Sequence, residues 1–274
     1  MHDRRQKPKN HDELLTILRR PRPSLSPSRF GDIEFEAFVE KNDVSRTESS
    51  VMTKAFSAIT GNQNIISESN IKFNNLSPLT DGTIADAQPD HYDGSLPTEL
   101  DTHVRQELST SIVPSTNTSA PCLPNFFAEG KGPKGHMDVA KRQACYDGAM
   151  GARAMESLRT YVDPDAAFDG NAYTLMSTYG GGAGGGLLTL YATYPSPSSI
   201  TPTNADYHMT QLRSYAMTDA VETFRQGATA LRNARDWANE QRGRYISLAN
   251  DKPLLHVASS SEATVSLAQS SQDR

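Results

Sequence analysis

The sequence predicts a mixed α/β fold: a mixed central sheet flanked by helices, with polar tails at both ends. Three observations predict it. Stretches with apolar residues at helical spacing alternate with β-rich runs bounded by proline and glycine. The stretch from Met137 to Tyr161 is rich in small residues and long enough for a central helix packed on a sheet. Two β-rich runs, AYTLMSTY and LLTLYATY, are joined by GGGAGGG, the pattern of a hairpin.

Length and composition narrow the classes further. The chain has 274 residues, enough for one domain with a substantial core. Its apolar runs fall far short of the ~20 residues that cross a bilayer. MHDRRQKPKNHDELL lacks the apolar centre of a secretory leader, so an intracellular protein with no membrane partner is expected. Cys122 and Cys145 have no C-x-x-C spacing, which removes disulfide frameworks and zinc modules. Only 36% of the residues are hydrophobic, a low value that polar tails explain by dilution.

Residues 1–30 carry eight Lys or Arg against three Asp or Glu. With RRPRPSLSPSR at 19–29 they predict a disordered, basic Pro/Ser-rich arm. Such an arm is either a solvated tail or a segment for nuclear import or phosphate contact. Residues 251–274 predict a second disordered, Ser-rich tail, which leaves 31–250 as a single α/β domain. Within it, 31–128 has five basic against fourteen acidic residues, and 129–160 has six against four. With a net charge of -5, nucleic acid is admissible as a partner only through local, salt-sensitive contacts.

GDIEFEAFVEKND opens the domain as a short helix, with Asp32 the expected N-cap and Ile33, Phe35, Phe38 and Val39 its apolar residues. ESSVMTKAFSAITG predicts a second, with Val51, Met52, Ala55, Phe56 and Ile59 on one side and Gly61 to end it. Thr98 is expected to begin a third, with Asp101 three residues on and Leu100, Val104 and Leu108 as its stripe. PNFFAEGKGP at 124–133 reads as a short strand, placing Glu129 and Lys131 on one face and Phe126, Ala128 and Gly130 on the other. In the central helix, Gly148 and Gly151 each cost about 1 kcal/mol against alanine, acceptable where the helix lies close against its neighbour. YHMTQLRSYAM reads as a third late strand. The last element, TDAVETFRQGATALRNARDWANEQRGRYI, is an amphipathic helix. Its Arg225, Arg232, Arg235 and Arg242 fall in one arc, either paired at the surface or facing a nucleic-acid backbone.

An acid and a lysine side by side on a strand next to a buried helix are unusual. One physical reason is a divalent metal, because hard cations take carboxylate oxygens and keep several waters. Pro89-Asp90 ends one β-like segment and Glu129 lies on the next clear strand, so Asp90 and Glu129 are the expected ligands of a Mg2+ ion. Lys131 would orient the attacking water or help deprotonate it, while the ion stabilises phosphate charge. Lys134, Lys141 and Arg142 lie close by in sequence and could neutralise phosphates. The plainer reading of Glu129 and Lys131 is an exposed ion pair on a strand face. GGGAGGG is not followed by Gly-Lys-Ser/Thr, so it reads as a flexible loop rather than a phosphate cradle. His91 reads as a turn histidine and Cys145 as a small core residue.

PD, then a strand bearing ExK, then a helix resembles the PD-(D/E)xK nuclease superfamily, whose core is an αβββαβ unit. Gln143-Ala-Cys-Tyr146 on the following helix is similar to the glutamine and tyrosine of its RecB-type members, and the two side chains share a helix face. The resemblance implies a restriction-endonuclease-like core and metal-dependent phosphodiester hydrolysis of nucleic acid. Gln143 and Tyr146 become supporting site residues, and Glu36 or Glu40 supplies a further acid from an early helix. Residues 30–250 also resemble an uncharacterised domain common in filamentous fungi, through PDHYDG, PNFFAEGKGP, AKRQACYDGAMGARAM and ETFRQGATALRNARDWANEQR. The same resemblance leaves open a catalytically inactive nuclease-fold module that binds nucleic acid or protein.

Overall fold

A six-stranded sheet organises the chain, and the computed structural model describes residues 7–198 and 205–252. The strands are β1 (Ser67–Glu68), β2 (His91–Ser95), β3 (Cys122–Lys131), β4 (Thr174–Gly180), β5 (Leu187–Pro197) and β6 (Ala205–Ala216), and they lie side by side in chain order. Neighbours run antiparallel except β3 and β4, which are parallel. A parallel pair needs a long crossover, and helix α7 (Met137–Val162) supplies it. The α/β class and the mixed sheet flanked by helices are thus as expected.

Helix α7 covers one face of the sheet. A Cβ on Gly151 would sit 2.6 Å from Phe127 and 2.8 Å from Thr174, and one on Gly148 would sit 2.5 Å from the Met176 sulfur. The two glycines let the helix lie against β3–β5 at a distance no larger residue allows. Helix α8 (Val221–Asn250) covers the other face, and its Phe224, Ala228, Leu231 and Ala238 share one buried cluster with Phe126, Ala128 and Tyr179.

Helix α2 (Asp32–Asp43) packs Phe38 against Phe224 in a tilted pair, with ring centroids 4.4 Å apart. Its N-cap is Gly31 rather than Asp32, and the Gly31 N–H donates to the Glu34 carboxylate at 2.8 Å. The next helical stretch runs as α3 (Glu48–Ser50), a π-helical segment Val51–Phe56 and α4 (Ser57–Thr60). Val51, Ala55, Phe56 and Ile59 are buried as predicted, and Gly61 ends the stretch at a φ of 61°. Helix α5 (Thr102–Glu107) starts later than expected, because Asp101 is itself the N-cap and accepts from the His103 N–H at 2.9 Å. A short α6 (Ser109–Ile112) follows. The glycine hairpin is fixed at its start by buried Asn42. Its carbonyl oxygen accepts from the Tyr179 hydroxyl at 2.7 Å and the Gly182 N–H at 3.2 Å.

The main departure lies at the N-terminal end. Instead of a disordered arm, residues 11–25 form helix α1 (His11–Leu18) and a 3-10 turn, burying Leu14, Ile17, Leu18 and Leu25. The Asn233 amide of α8 donates to the carbonyls of Ile17, Leu18 and Arg20 at 3.1, 3.3 and 2.8 Å, satisfying the end of α1. Asn10 exchanges two further hydrogen bonds with the Ala172 backbone, at 2.9 and 3.0 Å. The basic residues around HDELLTIL dominate its average composition and mask an apolar spacing suited to one buried helix face. Residues 1–6 of the expected arm, and all but Asp251 and Lys252 of the expected tail, lie outside the described residues. No helix among the described residues is long and apolar enough to cross a membrane.

Candidate functional site

Both faces of the sheet are covered at β3, so this strand is buried from Cys122 to Lys131. The acid and lysine predicted on its face therefore lie inside the protein: Glu129 is 1% exposed and Lys131 5%. This removes the exposed ion pair as an explanation. Gly130 points the other way, where a Cβ would meet the Met52 sulfur at 2.5 Å. Its small size makes room for the π-helical segment rather than for a ligand.

Asp90, just before β2, is bonded to this strand in both directions. Its N–H donates to Glu129 Oε1 at 3.2 Å, and its Oδ2 accepts from the Gly130 N–H at 2.8 Å. Lys131 Nζ donates to Glu48 Oε1 at 2.6 Å and lies 4.0 Å from Glu129 Oε2. The predicted trio of Asp90, Glu129 and Lys131 thus converges. The acid from an early helix is Glu48 at the start of α3, whereas Glu36 and Glu40 are exposed on α2.

From α7, Gln143, Tyr146 and Asp147 meet Glu129 around a cavity of about 220 Å³ that residues 85–88 also line. Asp147 is 3% exposed and was not among the predicted residues. Its signal was the four-residue spacing from Gln143, which puts both on one helix face. Glu129 Oε2, Asp147 Oδ2 and Gln143 Oε1 are buried with no hydrogen-bond partner. Such atoms are costly unless something else satisfies them.

The charges respond to this burial. Burial pushes the Glu129 carboxyl far up, and the Asp147 and Asp90 carboxylates push it further. Burial also raises Asp147 and the charge of Asp90 adds to it, against the neighbouring Glu129 carboxyl, which can donate to Asp147 only when protonated, and against the charge of Lys131. Asp90 is raised by burial, against the opposing Gly130 N–H. Burial and mutual repulsion therefore make the Glu129 and Asp147 pair hold a proton to higher pH than free carboxyl groups do.

Among the described residues, no group of three or more His, Cys, Asp or Glu is arranged to hold a metal ion. Mg2+ does not require one, because it binds through one or two carboxylates and keeps its remaining waters. Asp90 and Glu129, with Glu129 Oε2 unpartnered, fit such an ion in donor chemistry.

The other polar candidates belong to the framework. His91 faces away from the cavity, with Nε2 2.9 Å from Asp93 Oδ1. Asp93 is fully buried and accepts two N–H groups of Arg235 at 2.8 Å each. Burial would raise its carboxyl, but the bonds from Arg235 and His91 outweigh that and hold it at about 2. Arg242, also fully buried, donates to Ser95 Oγ at 3.0 Å and to Asn125 and Asn239. Arg232 donates to the Ile59 and Ala58 carbonyls. Arg232, Arg235 and Arg242 of the α8 arc are therefore no nucleic-acid face, because all three are buried and clamp the helix to the sheet and α4, and only Arg225 is partly exposed. Cys145, expected in the core, is exposed.

The model of a domain of unknown function (DUF7924) matches residues 47–249. The matched region runs from the residue before α3 almost to the end of α8 and contains every site residue described above. No curated protein and no solved structure matches the chain. The match spans well over half of the sequence, and the chain therefore belongs to the DUF7924 family, a domain of unknown function.

Proposed function

We propose that the chain is a Mg2+-dependent phosphodiester hydrolase acting on nucleic acid, built on a PD-(D/E)xK-like core. The order of elements supports that core: the helical stretch 48–60, strands β1 to β3, helix α7 and strand β4 follow an αβββαβ plan once α5 and α6, which stand between β2 and β3, are taken as an insertion. The observation that carries the function is a buried Glu129 beside Lys131 and bonded to Asp90, with an unpartnered Glu129 oxygen at a small cavity.

Asp90 and Glu129 would hold the ion. When bound, it would acidify a coordinated water and neutralise charge building on the phosphate. Lys131 is a point charge with three donors, one of them spent on Glu48. The remaining two can hold the attacking water or a phosphate oxygen beside Glu129. Glu48 fixes the lysine, and Glu129, whose carboxyl burial and Asp147 push up, would have to release its proton to take the ion. Gln143 and Tyr146 bring an amide and a hydroxyl to the cavity wall.

A second reading, a non-catalytic module on the same scaffold, has its own support. Asp90 Oδ2 is already engaged by Gly130, and Lys131 by Glu48, so the cluster is partly closed on itself. Incubation of the purified chain with single- and double-stranded DNA and RNA in Mg2+ or Mn2+ separates the two readings. Cleavage that is lost in Lys131→Ala and Glu129→Gln supports the hydrolase. Absent cleavage, or cleavage equal in the variants, rejects it. Titration calorimetry with Mn2+ adds an independent measure, because heat abolished by Glu129→Gln goes against the module.

A further inference from the structure

A groove of about 980 Å³ lies between residues 18–27, the end of β6 and the first turns of α8. Arg19, Arg22, Arg213 and Arg225 line it against a single acid, Glu222, in a chain whose net charge is -5. Arg22 and Arg225 are paired with Asp236 and Glu222. Arg19 and Arg213 make no side-chain hydrogen bond or ion pair among the described residues. Two uncompensated guanidinium groups in one groove form an anion-binding surface. Tyr215, half-buried beside Arg213, gives that surface a flat apolar partner for an unpaired base.

The groove continues toward the buried cluster. Ala216 at its edge also lines a second cavity, of about 420 Å³, over the glycine hairpin and the 132–135 turn. That turn packs on the catalytic candidate, since a Cβ on Gly135 would lie 2.9 Å from the Lys131 Cβ. Glycine makes up most of the lining of the second cavity, which leaves backbone open to a sugar–phosphate chain between the side chains of Pro133, Met137, Leu187 and Thr218. One wall of the arginine groove, residues 18–27, lies outside the DUF7924 match, which begins at residue 47.

We propose that the arginine groove, continued over the glycine hairpin, seats the backbone of a single nucleic-acid strand leading to Lys131. The choice of nucleic acid among polyanions rests on the hydrolase reading above. The groove itself rests on the unpaired arginines and the shared wall.

The test is anisotropy of labelled oligo(dT) with the full chain in EDTA, where no cleavage is needed. Arg19→Glu/Arg213→Glu should weaken binding at least about tenfold and flatten the salt dependence by about 1.4 in logarithmic slope, the loss of two contacts to a single strand. Arg244→Glu makes one such charge reversal roughly 28 Å further along α8 from Arg225 and should stay within about twofold, whereas Arg19→Glu and Arg213→Glu should each weaken binding more than that when made singly. An unchanged double variant, an equal loss in Arg244→Glu, or tighter binding of duplex than of single strand would each overturn the proposal. Strand binding without cleavage in Mg2+ would sink the hydrolase and leave the groove. Cleavage by the double variant at the full kcat/KM would do the reverse.

Discussion

Replacing Glu129 with glutamine should flatten the pH dependence of stability. In the folded protein Glu129 and Asp147 lie buried against each other, and burial followed by mutual repulsion raises both above their ordinary values. A carboxyl group whose folded value is raised stabilises the fold fully below its unfolded value, near 4, and loses that contribution as pH rises toward the folded value. Each proton held by the native state and released on unfolding tilts stability by about 1.4 kcal/mol per pH unit. The metal-free wild type should therefore lose about 1.4 kcal/mol for each unit between pH 5 and 7, for one retained proton. For a domain of this size that is roughly 3–6 °C in Tm per pH unit. Glutamine is neutral at every pH, and its amide can donate to Asp147, so the variant should show a markedly smaller slope. Thermal unfolding in EDTA at pH 5, 6, 7 and 8 reads the difference directly. Parallel Tm profiles for wild type and Glu129→Gln would refute the retained-proton account of the cavity.

Three further outcomes follow from the packing. Arg235→Ala strands the Asp93 carboxylate in the core and should cost about 3–5 kcal/mol in urea unfolding at pH 7. Because Asp93 is held at about 2, its contribution is present above pH 4 and fades as pH falls toward 2, so the gap to wild type should close in acid. Gly151→Ala drives a methyl to within 2.6 Å of Phe127. The overpacking cost of about 1–3 kcal/mol should exceed the roughly 1 kcal/mol gained in helix propensity, so Tm should fall rather than rise. Deleting residues 1–30 removes Leu14, Ile17, Leu18 and Leu25 from the core, at about 1.5–3 kcal/mol each. The shortened chain should fold poorly or not at all by circular dichroism, whereas loss of a solvated arm would leave Tm unchanged.

Local patterns were legible in the sequence where local chemistry decides the structure. Alternation along PNFFAEGKGP and the small-residue face around Gly148 and Gly151 each anticipated the element observed. So did the two runs around GGGAGGG, which pair in register from Thr174 with Thr193 to Gly180 with Leu187. Partners far apart in the chain were not legible. Glu48 joins the site only because the helix of 48–60 is laid across β3, and Glu36 and Glu40 offered an equal local signal. The arginines of α8 look solvated in isolation, and their burial depends on Asp93, Ser95 and Asn125 from β2 and β3. Asp147 was nearer to detection, four residues from Gln143, but its place at the cavity depends on Glu129 and on the 85–88 segment, which share the wall with it.

The Asn233 bonds to α1 also set the order in which the molecule can be completed. Donor and acceptor stand as many as 216 residues apart. At about 5–20 residues per second of synthesis, roughly 10–40 s pass between the emergence of α1 and that of its anchor. During that interval Leu14, Ile17 and Leu18 have no α8 to dock on and stay an apolar strip on the nascent chain. The segment walling the arginine groove is thus made well before the helix that anchors it, and its docking waits for α8.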